Sequence, residues 1–246
     1  MVLQAEYLLA TATFKRSESV DAIPAAGTLF ARLRDAARPS WEAYVAHPFV
    51  RGLTDGSLPE AAFRRYLTQD YLFLIHFARA FALAAFKHAT VADIRGAAAT
   101  LNALIDHEMT LHLQYCAQWG IGEEAMSAQP EAEETMAYTR YVLERGLAGD
   151  VLDLEVALAP CVIGYAEIGA RITRDPARKA DGNPYEPWRA MYAGDEFQAV
   201  AADAIVRLDR IGAARGAEAR FSELARTFDA ACRLEARFWR MGLDAA

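Results

Sequence analysis

The residue with the clearest chemical potential is Cys161, which directly follows Pro160 inside an apolar run of helical length from Leu152 to Tyr165. A proline inside a helix removes one backbone donor and clashes with the carbonyl four residues earlier, at about 3 kcal/mol. A proline retained at this cost beside a thiol, with a tyrosine one turn later, indicates that the bent helix shapes a pocket there. A lone cysteine in an apolar helix is also a common core residue. Both interpretations stay open at this point.

Asp70 shares a predicted helix face with Phe73 and Phe77, which follow it at i+3 and i+7. Burying an unpaired carboxylate costs several kcal/mol, so such a residue is paired, protonated or reserved for a ligand. The alternative is an ion pair with Arg64 or a position on the helix surface. Glu235 repeats the pattern before two aromatic residues near the C-terminus. There, neighbouring arginines favour a solvated charged face.

Four tyrosines fall on apolar helical stripes, where each would need a hydrogen-bond partner if it were buried. They are Tyr138, Tyr141, Tyr165 and Tyr192. Most tyrosines in such stripes belong to the core, so their positions alone do not indicate a reaction. The chain has no GxSxG elbow, no P-loop and no dinucleotide-binding glycine motif.

Glu108 and His112 stand at i and i+4, a spacing that is compatible with metal ligation, and His76 and His107 lie earlier in the sequence. A di-iron site in a helical bundle takes carboxylates and histidines from several helices. The C-terminal half of the chain has no histidine and therefore no second ligand element of this kind. We favour hydrogen bonding between helices for Glu108 and His112, and we predict no metal.

The composition predicts a folded protein with a large core. Of the 246 residues, 54% are hydrophobic and 24% are charged, which excludes a disordered chain. The net charge of −7, with no basic cluster between aromatic residues, argues against nucleic-acid binding. The cysteines, Cys116, Cys161 and Cys232, form neither a disulfide framework nor a zinc motif. The longest uncharged apolar run, residues 156–166, is too short to span a membrane. Residues 1–9 lack a basic segment, so we expect a cytoplasmic protein.

Nearly every long segment has helical periodicity, and no hairpin signal separates alternating strands. The predicted helices span about 28–46, 57–87, 93–119, 131–145, 151–173, 185–192, 195–211 and 217–241. The first is expected to bend at Pro39, residues 47–56 to form a turn-rich connector, and Ser57 to Glu60 to form a capping box. The predicted fold is an all-α, single-domain helical bundle over residues 28–242, preceded by an N-terminal arm at 1–27.

Seven motifs occur in the order typical of the TenA/thiaminase II family, which the chain resembles over about residues 28–242. They are His47–Pro59, Tyr66–Tyr71, Glu108–His112, Ala137–Tyr141, Leu158–Gly169, Asn183–Tyr192 and Glu235–Trp239. The resemblance implies the all-helical, heme-oxygenase-like fold of that family. It also implies a functional rather than a purely structural Cys161.

The resemblance further implies cofactor-free hydrolysis of an aminomethyl-pyrimidine, a thiamin breakdown product, to the hydroxymethyl-pyrimidine used in thiamin salvage. Cleavage of thiamin itself is a second reaction that it allows. Cys161 would add to the pyrimidine ring as the nucleophile, as a thiolate whose pKa is held down by its neighbours. Asp70 would accept a hydrogen bond from the exocyclic amine, and Glu235 would exchange a proton with a ring nitrogen.

The resemblance implies that Asp70 and five aromatic residues bind the substrate. The aromatic residues are Phe73, Phe77, Tyr138, Tyr165 and Tyr192. Many family members carry tyrosine where Phe73 stands, so this chain lacks one hydroxyl near the thiol. The expected partner is a small pyrimidine substrate, and the family's habit suggests a homotetramer.

Two other functions remain open from the sequence. A heme-oxygenase-like oxidative enzyme using a non-heme metal or a quinone precursor would rest on His76, Glu108 and His112. A non-catalytic pyrimidine-binding or regulatory protein would keep the pocket without turnover, and Phe73 is the residue that favours it. Measured turnover and metal content distinguish these alternatives from the hydrolase.

Overall fold

The computed structural model describes residues 27–245, apart from the side chain of His107, and in this range all regular structure is helical. The helices are α1 Leu29–Ala36, α2 Arg38–Val45, α3 Pro48–Asp55, α4 Glu60–Lys87, α5 Val91–Ala103, α6 Met109–Gln118, α7 Glu123–Ser127, α8 Glu133–Ala148, α9 Val151–Arg174, α10 Glu186–Ala193, α11 Asp195–Ala214 and α12 Ala217–Leu243. The predicted all-α bundle is confirmed. Except for Gly27, the predicted arm lies outside the described residues.

Helix α9 lies at the centre of the bundle and packs against α4, α8, α10, α11 and α12. It begins at a capping box, in which the Asp150 carboxylate accepts from the backbone of Leu152 and Asp153, and Asp153 accepts from the Asp150 N–H. Nearly all of its residues up to Ile172 are buried, as expected for a helix that is apolar on every side. This helix carries the thiol into the interior.

Pro160 lies inside α9 without ending it. The Tyr44 hydroxyl donates to the Pro160 carbonyl at 3.3 Å, and the Tyr44 ring packs directly over Gly164. A Cβ at position 164 would overlap that ring, so the glycine is required for the contact. The contacts of Tyr44, on α2, therefore hold the Pro160 turn in place immediately beside Cys161.

The prediction of a single bent N-terminal helix at 28–46 was wrong. The chain breaks at Ala37, and Pro39 lies in the first turn of α2, where its missing N–H removes no helical hydrogen bond. The predicted connector at 47–56 was also wrong, because Pro48–Asp55 is a helix that begins with proline.

The predicted capping box at Ser57 is likewise not formed. Pro59 precedes the first helical residue, Glu60, and no side chain caps this helix end. The Ser57 backbone N–H instead donates to the Asp55 carboxylate at 2.9 Å, so the serine belongs to a turn. The predicted C-terminal end of α4 at Lys87 is confirmed.

The segment predicted as one helix over 93–119 contains a π-helical turn, Leu104–Glu108, between α5 and α6. A π-helical turn accommodates an additional residue, and such turns are frequent at functional sites. The side chains that follow it therefore point in directions that the periodicity of α5 does not predict. Glu108 ends this turn.

Large aromatic side chains fill the space between α3, α4, α9 and α12. The Trp239 ring lies 4.8 Å from Phe49, 5.0 Å from Tyr66 and 5.4 Å from Tyr165, measured between centroids. Aromatic pairs at these distances add to the stabilisation that burial alone provides. Within residues 27–245, no helix combines the length and the apolar character needed to cross a bilayer.

Candidate active site

The thiol of Cys161 on α9 interacts with the carboxyl group of Glu235 on α12. The Tyr138 hydroxyl on α8 donates to Glu235 Oε1 at 2.8 Å. Glu235 is buried, with 2% of its surface exposed. The interpretation of Glu235 as part of a solvated face was wrong, because neighbouring Arg233 and Arg237 are exposed on the other side of the helix.

Asp70 and His112 form a buried pair between α4 and α6, with 2.7 Å between Oδ2 and Nε2. His112 Nδ1 lies 2.7 Å from the carbonyl oxygen of Glu108. Both of these oxygens are acceptors, so both ring nitrogens donate and the imidazole carries a positive charge. Burial alone would lower the pKa of His112, but hydrogen bonding and attraction from Asp70 outweigh it and raise the pKa. The ionic partner of Asp70 is therefore His112 and not Arg64.

Glu108 accepts a hydrogen bond from the Tyr192 hydroxyl on α10, at 2.6 Å from Oε1. Burial, and then repulsion from Asp70, raise the pKa of Glu108 to about 7. The predicted hydrogen bonding between helices is present for both Glu108 and His112. The sequence analysis did not identify Glu108 as part of the site around Cys161, although its position one turn before His112 was visible in the sequence.

A cavity of about 140 Å³ lies beside Cys161. Most of its lining is apolar and includes Phe77. Besides Cys161, the polar side chains of the lining are Thr100, Glu108, Tyr165, Tyr192 and Glu196. A comparable engineered cavity of about 150 Å³ holds benzene, so this volume suits one six-membered ring. The cavity has no lysine, arginine or histidine in its lining.

Four of the predicted site residues line this cavity, and four others lie behind its wall. Cys161, Phe77, Tyr165 and Tyr192 belong to the lining, whereas Asp70, Phe73, Tyr138 and Glu235 do not. The second group nevertheless adjoins the first. Ring centroids of Phe73 lie 5.1 Å from both Phe77 and Tyr138, and the charges of Asp70 and Glu235 both act on the Cys161 thiol.

The expectation of a lowered thiol pKa was wrong. Burial, and then the charges of Glu235, Glu108 and Asp70, raise the pKa of Cys161 well above its usual range. A thiolate in a low-dielectric site beside carboxylates is disfavoured on both counts. The resting form is therefore the thiol, whose proton must leave as a new bond to sulfur forms. Burial also raises the pKa of Glu235 to about 8, so this carboxyl group is mostly protonated near neutral pH.

Tyr66 is a site residue that the sequence analysis missed. Its hydroxyl interacts with Asp70 and Tyr165, and its oxygen accepts a hydrogen bond from Trp188 Nε1 at 3.3 Å. The available signal was its spacing, since Tyr66 precedes Asp70 by one helical turn. Tyr66 thereby links the Asp70 carboxylate to Tyr165, an aromatic residue of the cavity lining.

The residues of the metal hypothesis, His76, Glu108 and His112, do not converge, because His76 makes its contacts apart from the other two. Both nitrogens of His112 are engaged, while His76 contacts Glu131 at 3.0 Å and Arg140 at 3.1 Å near the surface. Across the described part of the chain, no three histidine, cysteine or acidic side chains are arranged to hold one metal ion.

Comparison with known proteins agrees with this architecture. A Haemophilus influenzae protein described as uncharacterized is 40% identical over 85% of this chain and 96% of its own length. A Halalkalibacterium halodurans protein named aminopyrimidine aminohydrolase is 38% identical over 87% of this chain and 95% of its own. A solved structure from a Silicibacter species, described as a TenA family transcription regulator, has 47% identity and a TM-score of 0.81. It covers 88% of this chain and 97% of that one. Residues 34–245 match the TENA/THI-4/PQQC family model, and the chain belongs to that family.

Proposed function

We propose that this chain hydrolyses an aminomethyl-pyrimidine to a hydroxymethyl-pyrimidine and ammonia in thiamin salvage, with thiamin cleavage as a second activity. The name of the 38% identical Halalkalibacterium relative supports this reaction class. The observation that carries the proposal is the Cys161 thiol, which lines a ring-sized cavity and interacts with the buried acid Glu235 behind that lining.

In the first step, Cys161 Sγ forms a bond to a ring carbon. One oxygen of Glu235 takes the thiol proton while its protonated oxygen gives a proton to a ring nitrogen. The carboxyl group ends the step with the same number of protons, so no charge remains in the buried site. A hydrogen bond from Tyr138 keeps Glu235 in position for this exchange.

In the second step, the leaving nitrogen gains one proton and the ring adduct expels it from the methylene carbon as ammonia, which takes the C–N electron pair. Water then adds its oxygen to the methylene and releases a proton, which replaces the one that left with ammonia. The ring finally expels Cys161 as the proton transfers of the first step reverse. The covalent route divides one difficult displacement into easier steps. It requires no metal or organic cofactor.

Asp70 is suited to orient the ring. Its carboxylate is fixed by His112 at 2.7 Å and lies one turn after Tyr66 on the same helix face. An acceptor placed in this way recognises the exocyclic amine of an aminopyrimidine, and fixed orientation of this kind contributes substantially to the rate. The proposal includes a cytoplasmic location and a homotetramer, which rest on the sequence and the family resemblance.

The direct test is turnover by the purified chain in water enriched in heavy oxygen. We expect ammonia release and a hydroxymethyl-pyrimidine whose new hydroxyl carries the heavy isotope. Absence of ammonia at any substrate concentration would contradict the proposal.

A non-catalytic pyrimidine-binding protein is the second candidate. It is favoured by the description of the 47% identical Silicibacter protein as a transcription regulator. Tight binding of the pyrimidine without product formation would select this candidate, whereas measured turnover would reject it.

A further inference from the structure

Three acidic side chains, Glu235, Glu108 and Asp70, act on the thiol through their charges, and the proposed steps give Glu108 no task. It lines the same cavity as Cys161, and its charge acts on the thiol. It ends the π-helical turn between α5 and α6, whereas Glu235 lies on α12. Glu108 and Glu235 therefore act on the thiol from different segments of the chain.

The hydrogen bonding of Glu108 leaves it free to act on a ligand. Among the described side chains, its carboxyl group has one hydrogen-bond partner, the Tyr192 hydroxyl, which binds Oε1. The other oxygen has no such partner, although the side chain lines an otherwise largely apolar cavity. An acceptor in this setting is expected to meet a donor or a cation supplied by the ligand.

The chemistry of the substrate supplies such a group. An aminomethyl substituent must leave as ammonia, because an amide anion is too basic to be expelled. The leaving nitrogen therefore needs one more proton than it carries as a neutral amine. A carboxyl group that has its pKa raised toward neutrality by burial can hold or share that proton at working pH.

We propose that Glu108 is a catalytic residue that shares one proton with the leaving nitrogen and so sets the preference for amine leaving groups. This inference rests on the proposed function. When the C–N bond breaks, its electron pair goes to nitrogen, the shared proton stays there and ammonia leaves. Glu108 remains as a carboxylate. It then takes a proton from the water that adds its oxygen to the methylene carbon, which restores the starting form.

The test compares two substrates that differ in their need for this proton. The nitrogen that leaves as ammonia must gain this proton. A trimethylammonio-methyl analogue instead releases trimethylamine without any proton transfer. With enzyme in excess, leaving-group release is measured in a single turnover for wild type and Glu108→Gln. We expect ammonia release to slow by more than about 100-fold and trimethylamine release by less than about fivefold, since a positioned acid contributes about 10²- to 10⁴-fold.

Glu108→Gln preserves the shape of the side chain and an oxygen that can accept from Tyr192. Glu223→Gln is the control, because it makes the same chemical change at an exposed carboxylate outside the cavity lining. We expect this control to change the release of both leaving groups by the same small factor. Glu108→Asp keeps an acid at the position, so it should release ammonia faster than Glu108→Gln.

Equal slowing of both leaving groups by Glu108→Gln would contradict the proposal, as would ammonia release within about threefold of wild type. Equal ammonia release by Glu108→Asp and Glu108→Gln would also contradict it. If the wild-type chain releases neither leaving group, the proposed hydrolase function itself fails. The two failures are therefore distinguishable.

Discussion

The Cys161 thiol and the Glu235 carboxyl group interact although they come from different helices, α9 and α12. The pairing couples the ionisation of the two groups, because a negative charge on either one disfavours a negative charge on the other. Nucleophilic cysteines are often activated by a cationic neighbour that stabilises the thiolate. Here the neighbour is an acid, so activation requires a proton transfer within the reaction step.

We expect Glu235→Gln to make Cys161 easier to deprotonate. Removing the carboxylate removes the second-largest cause of the raised thiol pKa. Alkylation of Cys161 by iodoacetamide should therefore begin at lower pH in the variant than in wild type. The measurement is peptide mass spectrometry across a pH series. An unchanged or higher alkylation midpoint would show that Glu235 does not oppose the thiolate.

The same substitution should alter the pH dependence of stability. The folded-state pKa of Glu235, about 8, lies above its ordinary value of 4.5, so unfolding releases its proton between these pH values. Raising the pH therefore favours unfolding of wild type, by up to ~1.4 kcal/mol per pH unit from this group. Glu235→Gln should become more stable relative to wild type by on the order of 3 kcal/mol between pH 5 and pH 8. Urea unfolding at both pH values measures the difference. A difference that does not change with pH would contradict the assignment.

The buried pair of Asp70 and His112 should show strong coupling in a double-mutant cycle. Removing one member leaves the other without its partner in the core, at about 3–5 kcal/mol. We therefore expect Asp70→Asn and His112→Gln each to destabilise the chain, and the double variant to cost much less than their sum. Because the folded-state pKa of His112 is raised, the stabilisation is complete below pH 6.5 and is lost as the pH rises through that pKa. Additive effects in urea unfolding at pH 6 would reject the pair.

A pair of glycine substitutions tests how the Pro160 turn is supported. Gly164→Ala would place a methyl group into the Tyr44 ring, so we expect a loss of about 1–3 kcal/mol. Gly96→Ala, on α5, is the matched control, because a Cβ there meets no other atom within 4 Å. It should gain about 0.5–1 kcal/mol from higher helix propensity. Thermal unfolding of both variants gives the comparison, and a neutral Gly164→Ala would contradict the contact.

Much of the helical framework was predictable, because apolar periodicity and glycine or proline boundaries locate the long helices. Pro39 shows a limit of such patterns, since a proline marks either a bend or a helix start and the neighbouring contacts decide between them. No residue type or sequence pattern indicates the π-helical turn that ends at Glu108. Its position depends on how α5 and α6 pack against α4.

The candidate site was predictable in its residue types but less so in its electrostatics. Glu235 is flanked by arginines in the sequence, and the helix geometry that turns them outward becomes clear only with the packing of α12. The raised pKa of Cys161 depends first on burial and then on three carboxyl groups from three segments of the chain. No spacing within one helix contains that information.

The central claim is that Cys161 bonds covalently to the pyrimidine, and single-turnover trapping tests it most directly. Acid quenching of wild type during turnover should give a pyrimidine-sized mass increase on the peptide that contains Cys161. Cys161→Ala should show neither the adduct nor ammonia release, while Cys116→Ala, at a buried cysteine outside the cavity lining, should retain both. Undiminished ammonia release by Cys161→Ala would contradict the thiol mechanism.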